Sequence, residues 1–415
     1  MTTDAQLTER FAPVFARIAA GTIDREAERR LPSDGVEWLR DAGFGKIRVP
    51  VEYGGLGATV PQFFRQLIEL GRADSNLPQL LRGHFGFVES RLSHPDATVR
   101  ERWLRTIADG TLVGNAQSEK GNSSFWDSAT TITKTDDGWQ LSGKKFYSTG
   151  SLFADWIHTT AKVDSQQSAN VLVATSAPGV DRIDDWDGFG QRLTGSGTTI
   201  FNEVEIPDVD VEVYPNGHLE GTYLLAFLQL VHLATLAGIG KAAIDDAAQF
   251  VNQRGRNLIN PAYPKPQNDP QIQQVVGRVA GAAFAANATT LAAADAVGII
   301  AEAVVAQQAT PQLFDDADLT TFTAQTAVIE LVLGLTSDLF EVGGASAVTE
   351  RFRLDRHWRN ARTLASHNPA IYRQTIVGNH VLNGASPSSW ANSTWQATQD
   401  RAVDVTTSAA GAADE

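Results

Sequence analysis

The chain has 415 residues and no cysteine, and its 48 acidic and 34 basic side chains give a formal net charge of −14 at pH 7. This acidic balance argues against nucleic acid or an anionic membrane surface as a partner. The lack of cysteine excludes disulfides, iron–sulfur clusters and thiolate metal sites. The eight histidines form no metal-binding pair motif. We find no secretory signal and no apolar stretch long enough for a membrane span, so we expect a cytoplasmic protein without a metal.

Residues 1–110 are predicted to form an N-terminal helical domain. The apolar spacing of one buried helix face occurs at Phe11, Val14, Phe15 and Ile18. The stretch PSDGVEWLRDAGFG begins with polar residues and ends with a glycine, as a short helix does.

Residues 111–215 are predicted to form a central β-barrel or β-sandwich domain. Apolar and polar residues alternate along ATTITKTDDGWQLSGKKFYSTG on both sides of Asp136-Asp137-Gly138, which is the pattern of a β-hairpin. Further strands are predicted for NVLVATSA and TTIFNEVEIP, and helical spacing is not evident in this region.

Residues 216–385 return to helical spacing and are predicted to form a C-terminal four-helix bundle. One long helix is predicted for YLLAFLQLVHLATLAGIGKAAIDDAAQFVNQR, and another begins at DPQIQQVV. The segment AQTAVIELVLGLTSDLFEVGG and the helix that ends near RTLASH complete the bundle. Residues 386–415 are rich in small and polar side chains and are predicted to be a tail. The predicted fold class is therefore α+β.

Two glycine-rich segments resemble nucleotide-binding motifs but stand in the wrong context. GWQLSGKK approaches the phosphate loop GxxxxGK, yet it lies in the predicted hairpin and lacks the following Ser or Thr. GIGKAA fits GxGxxA, yet it lies inside a predicted helix with no strand before it. We interpret the first as part of a turn and the second as a place of helix packing.

Five segments resemble, in chain order, segments of the acyl-CoA dehydrogenase fold. They are GNAQSEKGNSS, DDGWQLSGKKFYSTGSLFADW, GFGQRLTGSGTTIFNEVEIP, QRGR and FEVGG, and the resemblance extends from about residue 20 to residue 384. It implies an acyl-CoA dehydrogenase-like architecture with the same domain order, and a flavin between the β-domain and the helical bundle.

The resemblance also implies which residues of the β-domain contact the flavin. Gln117 and Ser118 would hydrogen-bond the edge of the isoalloxazine ring, and Tyr147 and Thr149 would lie near its N5 side. Hydroxyl and main-chain donors of this kind tune a bound flavin. Taken singly, Ser118 and Thr149 are equally typical of ordinary strand hydroxyls.

A phosphate site is implied at the far end of the long bundle helix. Arg254 and Arg256 fall where the family has its phosphate-binding arginine, and Gly343 and Gly344 match its glycine loop. Arginine holds phosphate through paired N–H donors. The alternative is that the two arginines are solvated surface charges.

The segment RFRLDRHWRNARTLASHNPAIY distinguishes two branches of the fold. Acyl-CoA dehydrogenases that carry their base in the last bundle segment have a Glu where this chain has Asn368, and an amide does not accept a proton at neutral pH. The segment instead resembles that of the flavin-dependent monooxygenases built on this fold, and His367 matches their active-site histidine. We expect Pro369 to end the helix and to direct His367 into the flavin cavity. The alternative is a structural histidine at a helix C-terminus.

The monooxygenase resemblance implies two-component oxygenation. Reduced flavin from a separate reductase reacts with O₂ to give a C4a-hydroperoxide, whose distal oxygen is attacked by sulfur or nitrogen. His367 and Asn115 would hold the distal oxygens, Thr149 would hold the flavin N5–H, and protonated His367 would donate to the departing flavin oxygen. His84 falls near a second active-site histidine of this branch, but Val88 stands where a tyrosine accompanies it. His84 is therefore either catalytic or a satisfied histidine on an apolar helix face.

The resemblance implies FMN as the cofactor, although the residues do not exclude FAD. A small organosulfur compound is the predicted substrate, in a pocket lined by Phe85, Phe87, Trp126 and Tyr147, which are also ordinary core residue types. N-hydroxylation of an amine on the same fold, and acyl-CoA dehydrogenation with a relocated base, are the alternatives. A homotetramer is also implied, and the Ala-rich helix over 280–306 suits contact between subunits.

Overall fold

The computed structural model describes residues 2–121, 128–215, 222–257 and 260–387. The first helices are α1 (Asp4–Ala19), α2 (Thr22–Glu28), α3 (Ser33–Asp41), α4 (Val60–Ala73), α5 (Asn76–Leu80), α6 (Arg82–Leu92) and α7 (Ala97–Ala108). The side chain of Thr3 accepts a hydrogen bond from the N–H of Gln6 and so caps the start of α1. Phe11, Phe15 and Ile18 are buried on one face of α1, as predicted.

The central domain is a single sheet with its own apolar core. Its strands are β1 (Val113–Ala116), β2 (Thr131–Thr135), β3 (Gly138–Lys145), β4 (Trp156–Lys162), β5 (Gln167–Ala174), β6 (Val180–Ile183), β7 (Thr198–Ile206) and β8 (Val211–Pro215). The strand order is β6-β7-β3-β2-β4-β5-β8, with β1 parallel to β4. The predicted hairpin is confirmed because β2 and β3 pair antiparallel around the turn before Gly138.

The C-terminal helices are α8 (Leu224–Gln253), α9 (Pro270–Val305), α10 (Pro311–Asp338), α11 (Asp355–His367) and α12 (Ala370–Asn383). Asp269 caps α9 by accepting from the N–H of Gln271, and Pro270 occupies the first turn, where its missing N–H has no cost. α8, α9 and α10 pack against one another, and α11 packs against α8 and α10. This arrangement confirms the predicted bundle and the predicted α+β class.

The GIGKAA segment is a helix contact, as predicted. Gly238 lies on α8 where α4 approaches closely, and a Cβ at this position would stand 2.6 Å from the carbonyl oxygen of Ile68. Only glycine allows the two backbones to come this close. The contact joins the N-terminal helices and the bundle into one apolar core.

Three bundle helices are long and apolar enough, by length and composition alone, to cross a membrane: Leu224–Gln253, Pro270–Val305 and Pro311–Val342. The expectation that the chain has no such stretch is therefore wrong. Their most apolar windows are 78%, 39% and 50% buried inside the protein, respectively. Burial accounts for the apolar composition of the first helix, because helices that are apolar all round occur in protein cores as well as in membranes.

Candidate active site

The end of α11 is set by proline chemistry. Pro369 has no N–H to continue the helix, and its ring excludes the helical conformation at the residue before it. Asn368 accordingly adopts φ −121° and ψ 105°, and α11 ends at His367 as predicted. The chain turns here and starts α12 at Ala370.

Hydrogen bonds fix the side chain of Asn368 and, through it, the orientation of His367. The amide Nδ2 of Asn368 donates to Oε1 of Gln229 at 2.7 Å, and Nε2 of Gln325 donates to the main-chain oxygen of Asn368 at 2.9 Å. Oδ1 of Asn368 then lies 3.3 Å from Nδ1 of His367 and can only accept. His367 therefore carries its proton on Nδ1 and presents Nε2 as an acceptor.

The surroundings of His367 favour its neutral form. The residue is exposed, yet its ring lies among protein groups. Desolvation of the ring, followed by the positive charge of Arg82, lowers the pKa of His367 to about 4. The role of His367 as an imidazolium donor stays a prediction, and the lowered pKa favours a neutral ring over it. A neutral imidazole still orients an O–H group by accepting its hydrogen bond.

Arg82 and His232 lie beside His367. The rings of His232 and His367 have centroids 4.4 Å apart, and the charge of Arg82 lowers the pKa of both histidines. His232 is 1% exposed, and within the described residues neither of its ring nitrogens has a hydrogen-bond partner. The helical side of the site is therefore polar.

Asn115 lies against the same end of α6. A Cβ added to Gly83 would stand 2.4 Å from Oδ1 of Asn115, so glycine is needed for the close approach of β1 to α6. Asn115 therefore contacts the first turn of α6, the turn that begins with Arg82. The predicted pairing of Asn115 with His367 across one site stays a prediction.

Thr149 belongs to a chain of three hydroxyls. Thr194 donates to the main-chain oxygen of Gln191 at 2.9 Å, so in its 2.7 Å contact with Ser196 the hydroxyl of Thr194 accepts. Ser196 has then used its proton, and in the 2.7 Å contact between Ser196 and Thr149 it is Thr149 that donates. Thr149 is left with free acceptor capacity, which suits a partner with an N–H group.

The other residues predicted at the flavin edge lie at neighbouring positions of the β-domain. Nε2 of Gln117 donates to the main-chain oxygen of His158 at 3.0 Å. The main-chain oxygen of Ser118 accepts from the N–H of Phe146 at 2.8 Å, next to Tyr147. Tyr147 is 48% exposed and has φ 59°, a left-handed conformation that few residues other than glycine adopt. The structure thus brings the segments around Gln117 and Tyr147 together.

The geometry does not favour the predicted catalytic role of His84. Its Nδ1 accepts from the N–H of Val113 at 3.2 Å, and its Nε2 lies 2.8 Å from the main-chain oxygen of Gly45, to which it donates. The residue is 2% exposed, and desolvation lowers the pKa of His84 to about 4. Both nitrogens are therefore occupied, as in a structural histidine.

The predicted phosphate residues lie at the other end of α8. Nη1 of Arg254 donates to the main-chain oxygen of Val342 at 3.1 Å, beside Gly343 and Gly344, and Arg256 is exposed nearby. At a rise of 1.5 Å per residue, the end of α8 is about 30 Å from His232. Within one chain, the length of α8 therefore separates these arginines from His367, and their phosphate role stays a prediction.

Two of the four residues predicted to line an aromatic pocket, Phe85 and Phe87, lie in the apolar cores instead. Phe85 packs in the helical core against Phe44 and Phe63, and Phe87 packs against Trp103. Tyr147 is the exposed member of the predicted set, and Trp126 lies outside the described residues.

In the part of the chain that the structure describes, no group of three or more His, Cys, Asp or Glu residues could hold a metal ion.

Two domain models of one family match the chain, one on each side of the β-domain. Residues 5–111 match the acyl-CoA dehydrogenase N-terminal domain, and residues 230–370 match the acyl-CoA dehydrogenase C-terminal domain. This chain belongs to the acyl-CoA dehydrogenase family.

Several similar relatives are named as monooxygenases. The chain is 29% identical to the dibenzothiophene monooxygenase of Mycolicibacterium goodii over 384 residues, which cover 88% of this chain and 91% of the relative. It is 29% identical to the probable FMNH2-dependent monooxygenase SfnC of Pseudomonas putida, with 92% and 95% covered. The crystal structure of FMN-bound TdsC from Paenibacillus sp. A11-2 superposes with a TM-score of 0.83 at 25% identity, covering 91% of this chain and 98% of that chain. The resemblance to the monooxygenase branch of this family is confirmed.

The residues that the sequence reasoning missed are Arg82, His232 and Gln229. A signal existed for two of them, because Gln229 and His232 stand three residues apart on one face of an otherwise apolar helix. Arg82 had no such signal, since its position beside His367 depends on how α6, α8 and α11 pack.

The variant His84→Leu is expected to lower the free energy of unfolding but to leave coupling of O₂ to product unchanged. It leaves the N–H of Val113 and the carbonyl of Gly45 without partners, at a cost of about 1–3 kcal/mol for each buried group. Urea unfolding and the yield of product per reduced flavin are the two measurements. A loss of coupling at unchanged stability would restore the catalytic role.

Proposed function

We propose that this chain is a flavin-dependent monooxygenase that uses reduced FMN and O₂ to oxygenate a small organosulfur compound. The observation that carries the proposal is the amide of Asn368, held by Gln229 and His367 at the end of α11. An amide at this place cannot remove a proton from an acyl thioester. The similarity to dibenzothiophene monooxygenase over most of the chain, and to FMN-bound TdsC, supports oxygenation instead.

The residues of the β-domain fit FMN. Thr149 has free acceptor capacity because its proton is given to Ser196, and this suits the N5–H of a reduced flavin. Nε2 of Gln117 is bound to the main-chain oxygen of His158, and its Oε1 has no hydrogen-bond partner in the part of the chain that the structure describes. When bound, reduced FMN supplies the two electrons that activate O₂.

The helical side would position the oxygen and the substrate. Nε2 of His367 accepts a hydrogen bond from an O–H group, while Asn115 offers one acceptor and two N–H donors. The two segments that resemble nucleotide motifs lie in a β-strand and inside α8, so neither is a nicotinamide site. We therefore propose that a separate reductase supplies the reduced FMN.

The proposal is tested by supplying chemically reduced FMN and O₂ to the protein together with one candidate substrate at a time. The panel contains thioethers and alkanesulfinates, primary amines, and acyl-CoA thioesters. We expect oxygenated sulfur products. Hydroxylated amines would move the function to the N-hydroxylase alternative, and an enoyl-CoA product would show a dehydrogenase with a relocated base.

Coupling is expected to be independent of the ionisation of His367 between about pH 6 and 8. Because the pKa of His367 is lowered to about 4, the ring is already neutral throughout this range. A His367 that acted as an imidazolium with an ordinary pKa of about 6.5 would lose its proton as the pH rises, and coupling would fall. The measurement is the ratio of product to H₂O₂ at each pH, normalised to His367→Gln.

We also propose that the chain assembles as a homotetramer. Phe284 and Ile299 are 75% and 58% exposed on α9, and their separation corresponds to about four helical turns. Apolar surface of this kind is typical of a face covered by a partner. A second copy of the chain would cover this apolar face. The apolar composition of α9 is then explained by contact between subunits, and we propose a cytoplasmic location.

The phosphate role of Arg254 is expected to depend on this assembly. Because Arg254 lies at the end of α8 remote from His232, it could hold only an FMN bound mainly by another copy. Arg254→Ala is therefore expected to weaken FMN binding by about 1.5–3 kcal/mol, the value of a charge-assisted hydrogen bond. FMN titration with light scattering measures both quantities, and Arg65→Ala is the charge-matched control. Unchanged affinity in an intact tetramer would leave Arg254 as a surface charge bound to Val342.

A further inference from the structure

Arg82, His232 and His367 form a basic cluster where three helices meet. Arg82 is the first residue of α6, His232 lies on α8, and His367 ends α11. The two imidazole rings are 4.4 Å apart, and the guanidinium of Arg82 is close enough to act electrostatically on both. Oxygenation of a neutral aromatic sulfide does not require such a concentration of N–H groups.

The charge of Arg82 is not balanced. Its Nε donates to the main-chain oxygen of Leu228 at 3.0 Å, which orients the guanidinium and uses one of its five N–H groups. No carboxylate pairs with Arg82 within residues 2–121, 128–215, 222–257 and 260–387. Desolvation lowers the pKa of Arg82 to about 10, so the side chain still carries its charge at neutral pH. An unpaired charge in a desolvated place is unfavourable until an anion joins it.

Unpaired polar atoms around the cluster give a second and independent indication. Both ring nitrogens of His232 and Oε1 of Gln325 are buried without a hydrogen-bond partner among the described residues. Gln325 contacts the cluster because its Nε2 donates to the main-chain oxygen of Asn368. Buried polar groups in native proteins are normally satisfied, so orphaned ones mark the place of a ligand or water.

We propose that Arg82 and His232 bind an oxyanion group of the substrate, so that the organosulfur compound carries a sulfinate, sulfonate or carboxylate. The oxygens of such a group accept from the free N–H groups of Arg82 and from one N–H of His232. The inference rests on the proposed monooxygenase function and narrows its substrate class. It replaces the predicted aromatic pocket, whose Phe85 and Phe87 lie in the cores.

The test compares two thioethers that differ in charge. FMN-loaded protein is titrated calorimetrically with 3-(methylthio)propanoate and with 3-(methylthio)propanamide. We expect the carboxylate to bind about 10- to 100-fold more tightly than the amide. This ratio corresponds to the free energy of one charge-assisted hydrogen bond. Arg82→Met should remove this preference and Arg82→Lys should restore part of it. Arg65→Met, which removes an exposed charge paired with Asp4, should keep it.

Equal affinity for the two probes in the parent, absence of carboxylate binding, or a preference that survives in Arg82→Met would overturn the inference. A matching loss of affinity for FMN itself in Arg82→Met would assign the guanidinium to the flavin phosphate and would overturn it too. Turnover separates this inference from the function on which it rests. Oxygenation of both probes without a charge preference leaves the monooxygenase intact and removes the anion site. A charge preference without oxygenation of either probe would keep the anion site and contradict the monooxygenase function.

Discussion

The variant His367→Ala is expected to bind FMN as the parent does and to release most of the O₂ that it consumes as H₂O₂. His367 is held by Asn368 so that Nε2 is left as an acceptor at the end of α11. Removal of one preorganised hydrogen-bonding group from an active site commonly costs about 10²–10³ in rate. Product formation should fall by a factor of this order, while consumption of reduced FMN continues.

The measurement is product and H₂O₂ formed per reduced FMN consumed. His380→Ala is the matched control, because His380 lies on the next helix and contacts the main-chain oxygen of Ala385. We expect the control to couple like the parent. Unchanged coupling in His367→Ala would return His367 to the reading of a structural histidine at a helix end.

The variant Glu119→Gln is expected to destabilise the β-domain by about 3–5 kcal/mol, the cost of leaving one member of a buried ion pair alone. Nζ of Lys145 donates to Oε1 of Glu119 at 2.7 Å, and the two side chains are 1% and 4% exposed. Glu119 also accepts from the N–H groups of Ala129 and Thr130. Glutamine leaves the charge of Lys145 unpaired and turns an N–H group toward donors.

The pH dependence of stability provides a second readout for this pair. Burial alone would raise the pKa of Glu119, but the hydrogen bond from Lys145 and those from Ser128, Ala129 and Thr130 lower it far below its ordinary value of 4.5. Stability from a lowered pKa is present above the pKa of the unfolded chain and is lost as the pH falls below it. The parent should therefore lose more stability below about pH 4.5 than Glu119→Gln does.

Asp208→Asn is the control for the buried pair. It breaks the exposed contact of Asp208 with Lys134, whose side chains are 69% and 51% exposed, and it should have a much smaller effect because solvent screens such pairs. Guanidinium unfolding of both variants measures the difference. Similar small losses would show that the network around Glu119 does not stabilise the domain.

The sequence predicted the features that depend on local chemistry. Pro369 ends α11 independently of where that helix packs. The turn before Gly138 forms a hairpin independently of the sheet to which its strands belong. The order of helices, strands and bundle followed from periodicity in the same way. These features need only the residues within a few positions of each element.

The surroundings of the candidate site residues depend on contacts between distant segments. The two ring nitrogens of His84 are hydrogen-bonded to Gly45 and to Val113, and no sequence pattern predicts either partner. The sequence does not reveal the unbalanced charge of Arg82 either. A solvated arginine at the start of a helix would give the same sequence pattern. The length of α8 could have separated Arg254 from the site, but only once His232 was known to face His367.

The fate of molecular oxygen tests the monooxygenase assignment most directly. The protein is mixed with reduced FMN, a thioether carboxylate and ¹⁸O₂, and the sulfur product is analysed by mass spectrometry. We expect one ¹⁸O atom in each molecule of sulfoxide formed, and none when H₂¹⁸O replaces ¹⁸O₂ as the source of label. A product without label from ¹⁸O₂, or complete conversion of the consumed O₂ to H₂O₂ with every sulfur compound in the panel, would contradict the assignment as a monooxygenase.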